Sequence, residues 1–213
     1  MAIGWIIVCP LGASGEADAM GDSTLYIESA VRKKLKNGGE NLPPRPSDGT
    51  KRDTVASGWL DDENNITEFA SQPWYPYRNR IGHVEILNPW TPKNGKYLFD
   101  GLGNCKEFDL LKLDTSACRS FEGMFRGCSS VTQLLDLDRF DTSNVVSVSH
   151  MFLNCLELRA ISVVGWDVSC IENCDHMLAG CTPYVLSSEA QRSLVEKVVS
   201  VNGDTGTWRR PIG

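Results

Sequence analysis

Three near-copies of one phrase, spaced 26 to 27 residues apart, run through residues 113–182. They read LDTSACRSFEGMFRGCSSV from Leu113, FDTSNVVSVSHMFLNCLEL from Phe140 and WDVSCIENCDHMLAGCTPY from Trp166. Asp114, Asp141 and Asp167 keep these intervals, as do Met124, Met151 and Met177, and Cys128, Cys155 and Cys181. Phe99 lies 26 residues before Phe125, and Gly101 precedes Asp114 by the same 13 residues that separate Asn154 from Asp167. About three and a half units are therefore present. A unit of this length cannot bury its apolar side alone, so neighbours must stack and equivalent side chains must lie over one another. The extra residue of the longer interval falls after Cys128, most simply at Leu134 or Leu135 in VTQLLDLDRF.

Each unit has an internal rhythm. An L-x-x-L-x-L pattern runs through Cys105, Phe108 and Leu110, through Val131 to Leu137 with its insertion, and through Leu158, Ile161 and Val163. Alternation over its last positions predicts a short strand with one face buried and the intervening side chains turned outward. Asp-Thr-Ser or Asp-Val-Ser follows, residue types that bond their own backbone and favour a turn. Val145, Val148, Met151 and Phe152 then predict a short helical or irregular return segment. Strand, turn and return make a leucine-rich-repeat-like coil. The expected fold class is α/β, a leucine-rich-repeat-like solenoid of about three and a half repeats with an N-terminal lead-in unit and a C-terminal helical cap.

Along the chain, residues 1–19 read as a signal segment: Ala2 to Leu11 is an apolar run too short to span a membrane, and Ala17-Asp-Ala19 offers a cleavage site. Cys9 is an alternative lipid-attachment position. Residues 20–53 read as a helix and a partly disordered linker. Ser23 would cap a helix over 23–36, with Ile27, Ala30, Val31 and Leu35 on one side and Asn37-Gly-Gly39 as its stop. Residues 54–97 form the lead-in unit, in which Trp74, Tyr75 and Tyr77 are expected to close the open end of the stack. Residues 98–182 are the repeats, and residues 183–213 a cap and tail: 183–200 read as the cap, in which a helix beginning at Ser187 places Leu194, Val198 and Val199 over the last unit.

These residues resemble the BspA-like leucine-rich repeat surface proteins of bacteria, in the variant whose repeat reads roughly F-D-T-S-N-V-T-x-M-x-x-M-F-x-x-C-x-x-L-x-x-L-D-L. Phe140 to Val145, Met151, Phe152 and Cys155 match closely. The segment Pro73 to Arg78, followed by Ile81 to Leu87, looks like the lead-in unit of that family. The third copy departs from the pattern: Val168 replaces Thr, and Cys170 and Cys174 stand where Asn144 and Val148 do. The resemblance implies a secreted or cell-surface protein adhering to a protein or glycan ligand on host or neighbouring cells.

Charge narrows the function further. Of the 27 acidic and 21 basic residues, 12 and 6 lie within residues 98–182, so the repeats carry the whole net charge of −6. Nucleic-acid binding requires the opposite excess. Cys170, Cys174, His176 and Cys181 form a loosely zinc-like run, but His176 repeats His150 and Cys181 repeats Cys155, so the period already accounts for two of them. Cys128, Cys155 and Cys181 read as small apolar core groups. The aspartates at 114, 141 and 167 read as acceptors in their own turns rather than as a calcium ladder. No cofactor, no metal and no catalysis are expected, and membrane contact is expected only through the N-terminal segment. The ligand face is the outward side of the strands. Lys106, Thr132 and Arg159 form one row, Glu107, Gln133 and Ala160 a second, and Asp109, Asp136 and Ser162 a third. The competing reading is a structural spacer, or a fragment of a longer surface protein, with no ligand of its own.

Overall fold

The apolar run near the start of the chain is a central strand. In the computed structural model, which describes residues 2–10, 21, 23–30, 52–60, 70–134, 136–163 and 165–181, strand β1 (Ala2–Pro10) pairs antiparallel with β2 (Ser23–Ala30) and with β3 (Arg52–Trp59). Ile3, Trp5 and Ile7 enter the main core, while Ile6 and Val8 pack with Tyr26 and Leu87 on the other side. Burial on both faces is why this segment shows no alternation. A signal core and a doubly buried strand demand the same residues, and here the run is a strand; Ala17 to Ala19 lie outside the described residues.

The helix expected at 23–36 is corrected over its first part, which is β2. Ile27 and Ala30 fit a helical period, but Leu25 and Ile27 alternate with Thr24 and Tyr26, and both edges of the segment find partners. β1 takes one edge, and β4 (Ile81–Ile86) takes the other in parallel, from Ser23 opposite Ile81 to Ile27 opposite Ile86. Tertiary pairing decides between two local options of similar propensity. β5 (Glu107–Asp109) then adds in parallel to β4, giving a five-stranded mixed sheet in the order β3-β1-β2-β4-β5.

The expected α/β leucine-rich-repeat solenoid with a helical cap is likewise corrected. The described residues contain no α-helix; regular structure is the mixed sheet, a two-stranded parallel sheet of β6 (Gln133–Leu134) and β7 (Ala160–Ile161), and 3-10 turns at Tyr75–Tyr77 and Leu137–Arg139. The cap expected at 183–200 lies outside the described residues. The physical reason is visible in the return segments. Alternate amides donate to the next coil instead of up their own chain: Phe121 to Ser147 (2.8 Å), Gly123 to Ser149 (2.9 Å), Phe125 to Met151 (2.9 Å), then Val148 to Asn173 (2.8 Å) and Phe152 to Met177 (2.9 Å). Donors committed sideways cannot also close helical rings. Left-handed residues turn the chain at Gly123, His150 and His176, and again four positions later at Gly127, Asn154 and Gly180.

Beneath this ladder the repeat-equivalent side chains form columns. Phe99, Phe125 and Phe152 are fully buried, with ring centroids 5.6 and 5.8 Å apart, and Met124, Met151 and Met177 lie alongside at 2% exposure or less. The three repeat-equivalent cysteine thiols each donate to a phenylalanine carbonyl of the preceding coil: Cys128 to Phe99 (3.2 Å), Cys155 to Phe125 (3.1 Å) and Cys181 to Phe152 (3.1 Å). Of the lead-in aromatics, Trp74 is fully buried, edge-on to Trp5 with centroids 6.3 Å apart. Tyr77 packs partly buried against the core, and Tyr75 carries the Arg78 guanidinium 4.3 Å over its ring.

At the turns, Asp114, Asp141 and Asp167 accept the amide two residues on, at 3.0, 3.0 and 2.9 Å. Hydrogen bonds from Ser116 hold the Asp114 carboxyl below the usual carboxylate range, and those from Ser143 do so for Asp141. A depressed folded pKa contributes stability that is complete above the ordinary carboxylate range and is lost as pH falls through the folded value. The urea midpoint is therefore expected to fall as pH drops below about 4. Asp141→Asn, which keeps the acceptor oxygen but cannot titrate, should show a shallower fall in the same titration.

Candidate functional site

The strand side of the stack is interrupted at one step. On one side of it, the Lys106 amide donates to the Gly82 carbonyl (2.9 Å) and β5 continues the sheet of β4. On the other, β6 pairs with β7 through Gln133 opposite Ala160, and the Arg159 amide donates to the Thr132 carbonyl (2.9 Å). Between them, among the described residues, no backbone hydrogen bond joins 104–113 to 131–140. The coils regain contact at their ends, through the Ser130 amide on the Gly103 carbonyl (3.1 Å) and the Thr115 hydroxyl accepting from the Asp141 amide (2.8 Å).

The sequence supplies the cause. Two residues, Leu135 and Asp136, separate Leu134 from Leu137, where single residues, Asp109 and Ser162, separate Phe108 from Leu110 and Ile161 from Val163. Leu134 and Leu137 are both buried, so the surplus residue must be taken up between them. Asp136 adopts the left-handed conformation (φ 65°) and leads into the Leu137–Arg139 turn. Aspartate tolerates that region better than most residues, and an extra residue on one strand interrupts the ladder beside it.

A groove of about 520 Å³ opens at this break. Lys106, Glu107 and Asp109 line it from the β5 side with His83 of β4, and Ser130, Thr132, Gln133 and Asp136 line it from the β6 side. Phe108, 7% exposed and edge-on to Phe125, is the buried member of the lining. Three carboxylates and a single ammonium give the groove an acidic balance. Of the ligand face read from the sequence, Lys106, Glu107, Asp109, Thr132, Gln133 and Asp136 meet here. Arg159 and Ser162 lie one coil further on, Arg159 exposed with its guanidinium 3.7 Å from Glu157. Sequence reasoning missed His83, Phe108 and Ser130. His83 sits opposite Glu107 in the register, 24 residues earlier rather than 26 or 27, and so falls outside the period.

The other cluster singled out in the sequence is dispersed. Cys170 is exposed, Cys174 and Cys181 are buried, and His176 stacks on His150 with centroids 5.4 Å apart. Among the described residues no group of three or more His, Cys, Asp or Glu side chains is placed to hold a metal ion. Burial pushes the Cys105 and Cys118 thiols up to about 12 and Cys128 well above its ordinary value, and the hydrogen bond to Cys181 together with burial raises Cys155. All eight cysteines are free thiols and Cys170 alone is exposed. Iodoacetamide at pH 8 is expected to label Cys170 rapidly in the native protein and the remaining seven only on unfolding. Peptide mass spectrometry reads the result, and native labelling of Cys128 or Cys155 would contradict the buried column.

No helix among the described residues is long and apolar enough to cross a membrane. No curated protein and no solved structure matches the chain. One family model does match, over residues 88–208, which takes in the groove lining apart from His83, the stacked coils and more than half of the 213 residues. The chain belongs to the family described as Mycoplasma protein of unknown function, DUF285.

Proposed function

We propose that this is a non-catalytic binding protein, secreted or displayed at a cell surface, which holds a macromolecular partner in the groove between β5 and β6. The observation that carries the reading is the convergence of Lys106, Glu107, Asp109, Thr132, Gln133 and Asp136 on one concavity, mounted on a rigid column of stacked rings. The resemblance of the repeats to BspA-like surface proteins supports the same class of role and the same location.

The test is affinity capture from host-cell and matrix extracts with the purified protein. The wild type should retain a specific partner, and the combined Lys106→Glu, Asp109→Lys and Asp136→Asn variant should lose it at unchanged melting temperature. Arg159→Glu, outside the groove, should retain it. Recovery of nothing specific by the wild type would favour the structural spacer.

A further inference from the structure

We propose that the break between β5 and β6 is a strand-addition site, which takes an extended segment of a partner protein with basic residues alternating with small apolar ones. This rests on the reading of the groove as the binding surface and names what enters it.

The backbone makes the first part of the case. Successive residues of a strand direct their amide and carbonyl groups to opposite edges. Since the Lys106 amide is spent on Gly82 in β4, the amides and carbonyls of Glu107 and Asp109 point away from β4, toward the break. Among the described residues, the bond there is a weak one, from the Cys105 thiol to the Glu107 carbonyl (3.2 Å). β5 therefore ends the five-stranded sheet with hydrogen-bonding capacity turned into the groove, the arrangement that peptide recognition by strand addition requires.

The side chains select the occupant. Along an added strand every second side chain would face the groove interior, where Phe108 leaves a small apolar surface, and the others would lie beside Glu107 and Asp109, with Asp136 across the groove. Carboxylates on this edge repel the same edge of a second copy and attract lysine or arginine, so charge disfavours self-pairing and favours a basic segment of another protein.

Fluorescence anisotropy with labelled six-residue peptides tests this on the full chain. The probes are an alternating lysine–valine peptide, its glutamate–valine counterpart, and the lysine–valine peptide N-methylated at alternate residues. The lysine–valine peptide should bind saturably, more weakly as salt rises. Affinity should drop at least tenfold for the N-methylated peptide, for the glutamate peptide, and for the Asp109→Lys, Asp136→Asn protein. Equal binding of the N-methylated peptide, equal binding of the glutamate peptide, or no binding of any probe would overturn strand addition. If extract capture still responded to the groove variants after such a result, the groove would remain the binding surface and only the mode proposed here would fall. If capture failed as well, both readings would fall together.

Discussion

Phe125→Ala is expected to lower the free energy of unfolding by about 4 kcal/mol, measured as a shift in the urea midpoint at constant slope. Phe125 has no exposed surface, and its ring is held by Phe99 at 5.6 Å, Phe152 at 5.8 Å and Phe108 edge-on at 5.4 Å. Truncation removes a large buried side chain and leaves three rings facing a void that backbone bonds on either side keep from collapsing, since the Phe125 amide is tied to Met151 and its carbonyl to Cys155. A conservative change gives the contrast: Phe125→Leu fills most of the volume and should cost about 1–2 kcal/mol. A loss under 1 kcal/mol for the alanine variant would mean that the ring column contributes little to holding the coils together. Because Phe108 leans on Phe125 and lines the groove, the alanine variant should also weaken partner capture under conditions where it remains folded.

The second large effect is expected at Gly82. β2 and β4 are out of step between Ser23 and Thr24, so Gly82 falls between the pairs Ser23–Ile81 and Thr24–His83. At that irregularity the two backbones approach so closely that a methyl group on Gly82 would overlap the Gly21 carbonyl oxygen. The obstacle is backbone, fixed by the Gly21 amide on the Asn79 carbonyl (3.1 Å) and the Ser23 amide on the Arg80 carbonyl (2.9 Å), and cannot rotate aside as a side chain would. Gly82→Ala should therefore cost about 3 kcal/mol or more, by prising β2 from β4. Thermal unfolding followed by tryptophan fluorescence would register it, and a variant as stable as the wild type would show that the sheet can relax at this point. The Gly82 carbonyl accepts from Lys106 at the head of β5, so the same substitution should displace the groove.

Much of the candidate site could be read without coordinates, because strand alternation acts over two residues. Glu107 and Asp109 had to face outward once Phe108 faced inward, and Gln133 once Leu134 did. The buried columns were legible for a related reason: Phe125, Met124 and Cys128 recur with their counterparts only because each coil meets the same surroundings as the one before. What depends on distant partners was not legible. Ser23 to Ala30 satisfied a helical template, and only the edges offered by β1 and β4 make it a strand. The class of fold went the same way, since nothing local in Val145 to Phe152 reveals that their amides bond the following coil. The surplus residue between Leu134 and Leu137 was countable from the intervals, but counting does not say whether a coil bulges, shifts or parts from its neighbour.

Placement of that parting has a bearing on how such a chain can change over generations. It is fixed by one local length difference near the sheet, whereas the later junctions among the described residues repeat the same bonds from Phe121 to Ser147 and from Val148 to Asn173. Duplicating or losing a whole unit beyond residue 141 would lengthen or shorten the far arm and leave the mouth at Asp109 and Asp136 as it is. Reach and recognition can thus evolve separately in this architecture, the first by copying units and the second by point changes at a few outward positions.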